Sequence, residues 1–148
     1  MRILVDGDAC PVKDEVVKVA ERHGAAVLLV SNRWHRGDHY LVEQVVVPEG
    51  PDAADDVIAE RAEAGDIVVT NDIPLAARVV AKGARCIDAR GKPFDESSIG
   101  MKLAMRDLMT HLRETGEMTG GPSGFKPQDR SRFLDGLETL MQAAKRGR

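Results

Sequence analysis

Six aspartates gather in three short clusters. Asp6 and Asp8 flank Gly7; Asp52, Asp55 and Asp56 fall close together; and Asp72 ends the triplet Thr70-Asn71-Asp72. The first and last clusters each follow a short apolar run, Ile3-Leu4-Val5 and Ile67-Val68-Val69. Such runs, set between helical stretches, read as buried parallel strands. Open parallel sheets bind ligands beyond the carboxyl ends of their strands, so both clusters are expected at one end of one sheet. Carboxylates meeting there are hard oxygen ligands. They suit Mg²⁺ or Mn²⁺ and, through the metal, phosphate chemistry.

Each candidate has a structural role beside the chemical one. Asp6 lies nearest its strand end and is the first candidate ligand. Asp8 is a further ligand or the cap of the next helix, and Gly7 between them lets the backbone turn. Asp72 is a second ligand or the cap of the helix that Pro74 opens. The acidic run from Asp52 suits a helix dipole, but three carboxylates so close repel one another, and a divalent cation would relieve that. Asp52 is expected as the cap and Asp56 or Asp55 as the third ligand. Asn71, Lys13, Lys126 and Arg130 are candidates for substrate contact, the three cations through backbone phosphates.

Other residues give weaker signals. The loop Thr119–Gly124 is a linker or a phosphate cradle, and it lacks the GK[ST] of a P-loop. Cys10 falls near the first acids, where a helix start could activate its thiol, though a small buried residue is the simpler reading. Arg33, His35, Arg36 and His39 form a small basic loop. Trp34, within that loop, is expected to pack against the core.

The elements that must position these residues follow from the apolar pattern. Strands are expected over Arg2 to Val5, Ala26 to Val30, Val42 to Val47, Asp66 to Val69 and Arg85 to Ile87. A first helix runs from near Pro11 to His23, with Val12, Val16, Val17 and Ala20 on one face and Gly24 closing it. A second starts after Asp52 and ends by Gly65, and a third runs from Pro74 to Ala81. The alternation argues for a three-layer α/β/α domain on a mainly parallel sheet of about five strands. Two amphipathic helices follow, over Ser97 to Thr115 and about Pro127 to Ala144. The whole chain, 1–148, is expected as one domain, with a core over about 1–95 and a helical extension over about 96–148.

Composition narrows the function classes. Aromatic residues make up only 3%, which argues against a broad base-stacking platform. The net charge of −3 creates no global basic field. The charge is uneven, acidic from Asp52 to Asp72 and basic on balance from Lys126 to Arg148. Two cysteines, Cys10 and Cys86, form no zinc pattern. The N-terminus enters a strand without a signal-like apolar region, and no apolar run approaches a membrane span. A cytoplasmic protein without a membrane partner is the expectation.

Four segments together carry a resemblance: Asp6-Gly7-Asp8-Ala9-Cys10-Pro11, Gly50-Pro51-Asp52-Ala53-Ala54-Asp55-Asp56, Val69-Thr70-Asn71-Asp72-Ile73-Pro74-Leu75-Ala76, and Gly120-Gly121-Pro122 with Asp129-Arg130. Over nearly its whole length the chain resembles the YaiI/YqxD family of uncharacterised bacterial proteins, whose domain is similar to PIN-like nucleases. The resemblance implies acids after the first strand, on a middle helix and after the fourth strand, which map to Asp6, to Asp55 or Asp56, and to Asp72. It implies a metal-dependent phosphodiesterase acting on RNA. PIN-like enzymes often carry another acid two residues beyond the one matched by Asp72, and here that position is Pro74. A non-catalytic nucleic-acid or nucleotide-binding protein is therefore one alternative. A small-molecule phosphatase with Asp6 as nucleophile is another, since Asp6-Gly7-Asp8 also satisfies the D-x-D such enzymes place after a first strand.

Overall fold

The computed structural model describes residues 1–35, 39–50, 52–101, 104 and 125–146. The expected helix over Ser97 to Thr115 lies largely outside these residues, and the Thr119–Gly124 loop lies wholly outside them. The strands are β1 (Arg2–Asp6), β2 (Ala26–Ser31), β3 (Val42–Val46), β4 (Ile67–Val69), β5 (Arg85–Ile87) and β6 (Pro93–Phe94). The helices with full bounds are α1 (Lys13–His23), α2 (Ala53–Arg61), α3 (Ile73–Ala81) and α4 (Pro127–Lys145).

The strands form one sheet in the order β3-β2-β1-β4-β5-β6. All neighbours are parallel except β5 and β6. The sheet of about five strands is present, with β6 as one short addition at its edge. This strand has two residues and starts with Pro93, which lacks a ladder donor and is tolerated because the strand lies at the edge.

Alternation along the strands builds two cores. Ile3, Val5, Val27, Leu29, Ile67, Val69 and Ile87 face one side and pack with Val12, Val16 and Val19 of the α1 region and Phe133, Leu137 and Met141 of α4. Leu4, Leu28, Val30, Val68 and Cys86 face the other side and pack with Ile58 of α2 and Leu75 and Val79 of α3. Side chains alternate across a strand, so apolar residues at every position require helices on both faces. The result is three layers.

Chain direction explains which helix covers which face. From β1 the chain moves outward to β2 and β3. It then crosses back to β4 and continues to β5. Right-handed crossovers in opposite directions place α1 on one face and α2 and α3 on the other. The C-terminal helix α4 completes the α1 layer. There Glu138 accepts hydrogen bonds from Arg22 at 2.6 Å and pairs with His23 at 2.7 Å.

Two helix boundaries differ from the expected ones. The first helix begins at Lys13, because Gly7–Ala9 first forms a single 3-10 turn. Gly24 ends it in the left-handed region (φ 64°), where its N–H reaches the carbonyls of Ala20 and Glu21. The second helix stops at Arg61 rather than running to Gly65, and the turn that follows is tied by Asp66.

Candidate functional site

The strand order reverses between β1 and β4, and the crevice at such a reversal is the usual ligand position in an open α/β sheet. Val5 is in register with Val69, so Asp6 and Thr70 leave the sheet side by side. Thr70 is buried and its hydroxyl donates to Asp6 Oδ2 at 3.1 Å. The Thr70 hydroxyl oxygen itself accepts from the Asp72 N–H at 3.0 Å. Asp72 Oδ1 in turn accepts from Leu75 N–H at 2.9 Å and caps α3. A cavity of about 320 Å³ opens here, lined by Asp6, Cys10, Thr70, Asn71, Asp72 and Ala89 among others.

Asp8 stands beside Asp6 on the 3-10 turn, and its Oδ1 accepts from Asn32 N–H at 2.8 Å. The turn passes close to β2 at Gly7, where a side chain would force its neighbours to shift. A Cβ there would stand 2.7 Å from Leu29 Cδ1 and 3.2 Å from the Val30 carbonyl oxygen. From the other face of the sheet, α2 contributes Asp55. Burial first, then the charges of Asp72, Asp6 and Asp52, push its carboxyl up to about 6, with Arg78 pulling the other way. The Asp6 carboxyl is also raised. Burial is the main cause, the charges of Asp8 and Asp72 add to it, and the Thr70 hydroxyl opposes it.

The fold thus places Asp8, Asp55 and Asp72 within electrostatic reach of Asp6 at the switch point. It does not bring Asp56 there. Asp56 is exposed and ion-pairs with Arg78 at 3.0 Å. The distinction between the neighbours has a physical signal in the sequence. Asp55 precedes the buried Ile58 and Ala59 by three and four residues and shares their helix face. Asp56 stands four residues before exposed Glu60. Asp52 occupies the cap position of α2, but its side chain makes no capping hydrogen bond. Only its carbonyl serves the helix, accepting from Asp56 N–H at 2.9 Å.

The expected substrate contacts have structural partners of their own. Asn71 Oδ1 accepts from Ala89 N–H at 2.9 Å and ties the chain after β5 to the cavity wall. Lys13 Nζ donates to the Cys10 carbonyl at 3.2 Å. Arg130 donates to the Pro11 carbonyl at 2.6 Å and to Glu15 Oε1 at 3.1 Å, and lies over the Phe125 ring. Lys126 opens α4, its backbone N–H donating to Asp129 Oδ2 at 2.9 Å. Of these four, only Asn71 lines the cavity.

The roles of Thr70 and Cys10 become clear only in three dimensions. Thr70 links the two acidic motifs through one hydroxyl. Cys10 lines the cavity, and burial pushes its thiol up, despite the Val12 N–H and the Lys13 charge. That is the opposite of thiolate activation. Trp34 departs from expectation: it does not pack against the core, and 64% of it is exposed.

Among the described residues, no three His, Cys, Asp or Glu side chains close into a ready metal-binding group. That excludes a preformed all-protein cage from these residues as they stand, such as structural zinc requires. Mg²⁺ sites differ, since Mg²⁺ keeps several waters and usually takes one or two carboxylates plus substrate phosphate. Asp6 and Asp72 are the two carboxylates that line the open cavity, and such a pair fits that kind of ion. Among the described residues, no helix is long and apolar enough to cross a membrane.

Comparison with known proteins agrees with the four sequence segments. Residues 4–143 match the family described as Uncharacterized BCR, YaiI/YqxD family. A UPF0178 protein of Parvibaculum lavamentivorans is 62% identical over 145 residues, covering 97% of this chain and 95% of that protein. A UPF0178 protein of Paramagnetospirillum magneticum is 58% identical over 146 residues, covering 98% of this chain and 97% of the relative. No solved structure matches the chain.

Proposed function

We propose that this chain, which belongs to the YaiI/YqxD family, is a divalent-metal-dependent phosphodiesterase with a PIN-like site that acts on RNA. One observation carries the reading. Four carboxylates crowd the switch point, with Asp55 raised to about 6 by burial and by its acidic neighbours. No ion pair among the described residues engages Asp6, Asp8, Asp55 or Asp72.

The hydrogen bonds at these acids orient charge without neutralising it. Asp6 is held by a hydroxyl, and Asp8 and Asp72 by backbone N–H groups. Neutral donors fix a carboxylate in place and leave its negative charge available. Asp6 and Asp72 would hold Mg²⁺ or Mn²⁺ at the cavity, with Asp55 and Asp8 adding negative charge beside them. Once bound, such an ion neutralises charge at the scissile phosphate and makes a bound water more acidic. Thr70 and Asn71 are positioning residues: the first sets the Asp6 carboxylate, and the second fixes the wall opposite. RNA is the substrate class that the PIN-like resemblance implies.

Binding without turnover is the second reading, and it also draws on one observation. Pro74 sits in the first turn of α3, where PIN-like enzymes often carry a further acid. A Mn²⁺-dependent cleavage assay on single-stranded RNA separates the two. Cleavage that disappears in Asp6→Asn and Asp72→Asn supports the phosphodiesterase. Cleavage that survives both substitutions refutes this site. Metal-dependent RNA binding without cleavage, lost in the same variants, assigns the chain to the second reading.

A further inference from the structure

The acid cluster would account for a phosphate but not for the rest of a nucleotide. The residues that follow β2 supply a surface of the right chemistry. Ser31 Oγ donates to the Arg33 carbonyl, and Asn32 N–H donates to Asp8 Oδ1 at 2.8 Å. His35 and Gln44 clamp each other: His35 N–H donates to Gln44 Oε1 and Gln44 Nε2 donates to the His35 carbonyl, both at 2.9 Å. The His35 ring turns inward, and its Nε2 is buried without a hydrogen-bond partner. The backbone is thus secured on both sides of Trp34, yet the indole itself is 64% exposed.

Position and charge give the exposed ring its meaning. Two residues of chain span at most about 7 Å, and Asn32 is hydrogen-bonded to Asp8, so the Trp34 backbone lies near the Asp8 side of the acid cluster. Positive charge flanks it. Arg33 is exposed, and the charges of Lys13 and Arg33 reach His35 more strongly than the opposing charge of Asp8. An indole on a fixed backbone beside cations is what a nucleobase with its phosphate recognises. A base within a duplex has both faces already stacked, so only an unpaired base can use the ring.

We propose that Trp34 is a stacking platform for an unpaired nucleobase of a single-stranded nucleic acid, with Arg33 contacting the adjoining phosphate. This rests on the reading of the acid cluster as a phosphodiester site, and it names the form of the substrate. A single stacked base also fits a chain of low aromatic content, because the platform needs one ring and not several.

Trp34 is the sole tryptophan, so its emission reports this one position. The full-length protein would be titrated in Mg²⁺ with a short single-stranded RNA, the matching single-stranded DNA and the duplex. The single strands should quench the emission and the duplex should not. Affinity for labelled single-stranded RNA, read by anisotropy, should fall about tenfold or more in Trp34→Ala and less in Trp34→Phe. Because the side chain is exposed, both variants should melt like the parent, which a thermal scan checks. No quenching by single strands, equal quenching by the duplex, or unchanged affinity in Trp34→Ala would each overturn the platform. The phosphodiester reading is judged separately by cleavage. If Asp6→Asn ends cleavage while Trp34 emission never responds, only the platform fails. If Trp34 responds and binds as expected but no cleavage occurs, only the hydrolytic reading fails.

Discussion

The paired strands β1 and β4 carry a partly or fully buried aspartate at each end, and the two are treated in opposite ways. At the amino end Asp66 is 4% exposed and bonded to three donors: the Arg2 backbone N–H, the Arg2 guanidinium and the Glu63 N–H. The guanidinium also ion-pairs with it at 3.3 Å. At the carboxyl end Asp6 receives a hydroxyl and no cation, and Asp8, Asp55 and Asp72 bring further negative charge toward it. The first arrangement closes a sheet end. The second leaves charge that folding alone has no use for, and such perturbed groups concentrate at functional sites.

The sharpest way to break this contrast is to substitute both aspartates. Asp66→Ala removes the buried acceptor for three donors, leaving the Arg2 and Glu63 backbone N–H groups without it, while the Arg2 guanidinium keeps only the Arg61 carbonyl. Stability should fall by about 2 kcal/mol or more, read by urea denaturation. Asp6→Asn should leave stability unchanged or raised, since it relieves repulsion. It should instead lower metal-dependent RNA cleavage on the order of 100-fold or more, given that even outer-shell changes at metal sites reach that scale. If Asp6→Asn unfolds the protein as Asp66→Ala does, the two ends are alike and the contrast is lost.

The contrast was only partly legible in the sequence. Ile3-Leu4-Val5 and Ile67-Val68-Val69 announced buried parallel strands because every position is apolar, and Asp6 and Asp72 followed from them. Asp66 gave no such signal. Its importance arises because the register puts Arg2 beside it across about 60 residues of chain. Asp55 and Asp56 were not separated by type, although the buried Ile58 and Ala59 mark the Asp55 face. β6 was missed because two residues carry no period. Trp34 is expected inward as the sole tryptophan, yet it is exposed beside a backbone that Gln44, nine residues from His35, holds in place.

Thr70 offers a subtler change, since it joins the two acidic motifs. Thr70→Val keeps shape but removes the donor to Asp6 and the acceptor for Asp72 N–H. The expected loss is about 1–2 kcal/mol by denaturation near neutral pH. Without that hydroxyl the Asp6 carboxyl rises further. A carboxyl raised in the folded state contributes stability at low pH and loses it as pH rises through the folded value. The defect of Thr70→Val should therefore shrink as the solution is acidified. A defect independent of pH would mean that Thr70 acts through packing and not through Asp6.

Asp55 gives the smallest effect and the most discriminating one. Its carboxyl stands at about 6 in the folded protein against an ordinary value of 3.8. Below pH 3.8 it is protonated whether the chain is folded or unfolded. Between there and about 6 the folded state holds a proton that the unfolded state has released, and stability falls as pH rises through that window. Full conversion of the shift would give about 3 kcal/mol, but Asp55 is only half-buried, and solvent screening reduces this to about 1 kcal/mol. Asp55→Asn should therefore stabilise the metal-free protein at pH 7 by about that amount, with the gain fading toward pH 4. Saturating Mg²⁺ should reverse the order, because the ion stabilises the parent by binding its folded state and binds the variant less well. A variant that is more stable than the parent without Mg²⁺ and less stable with it would identify Asp55 as a group kept charged for a cation. A gain that Mg²⁺ leaves untouched would make Asp55 an acid merely crowded by its neighbours, and would confine any cation to Asp6 and Asp72 at the cavity.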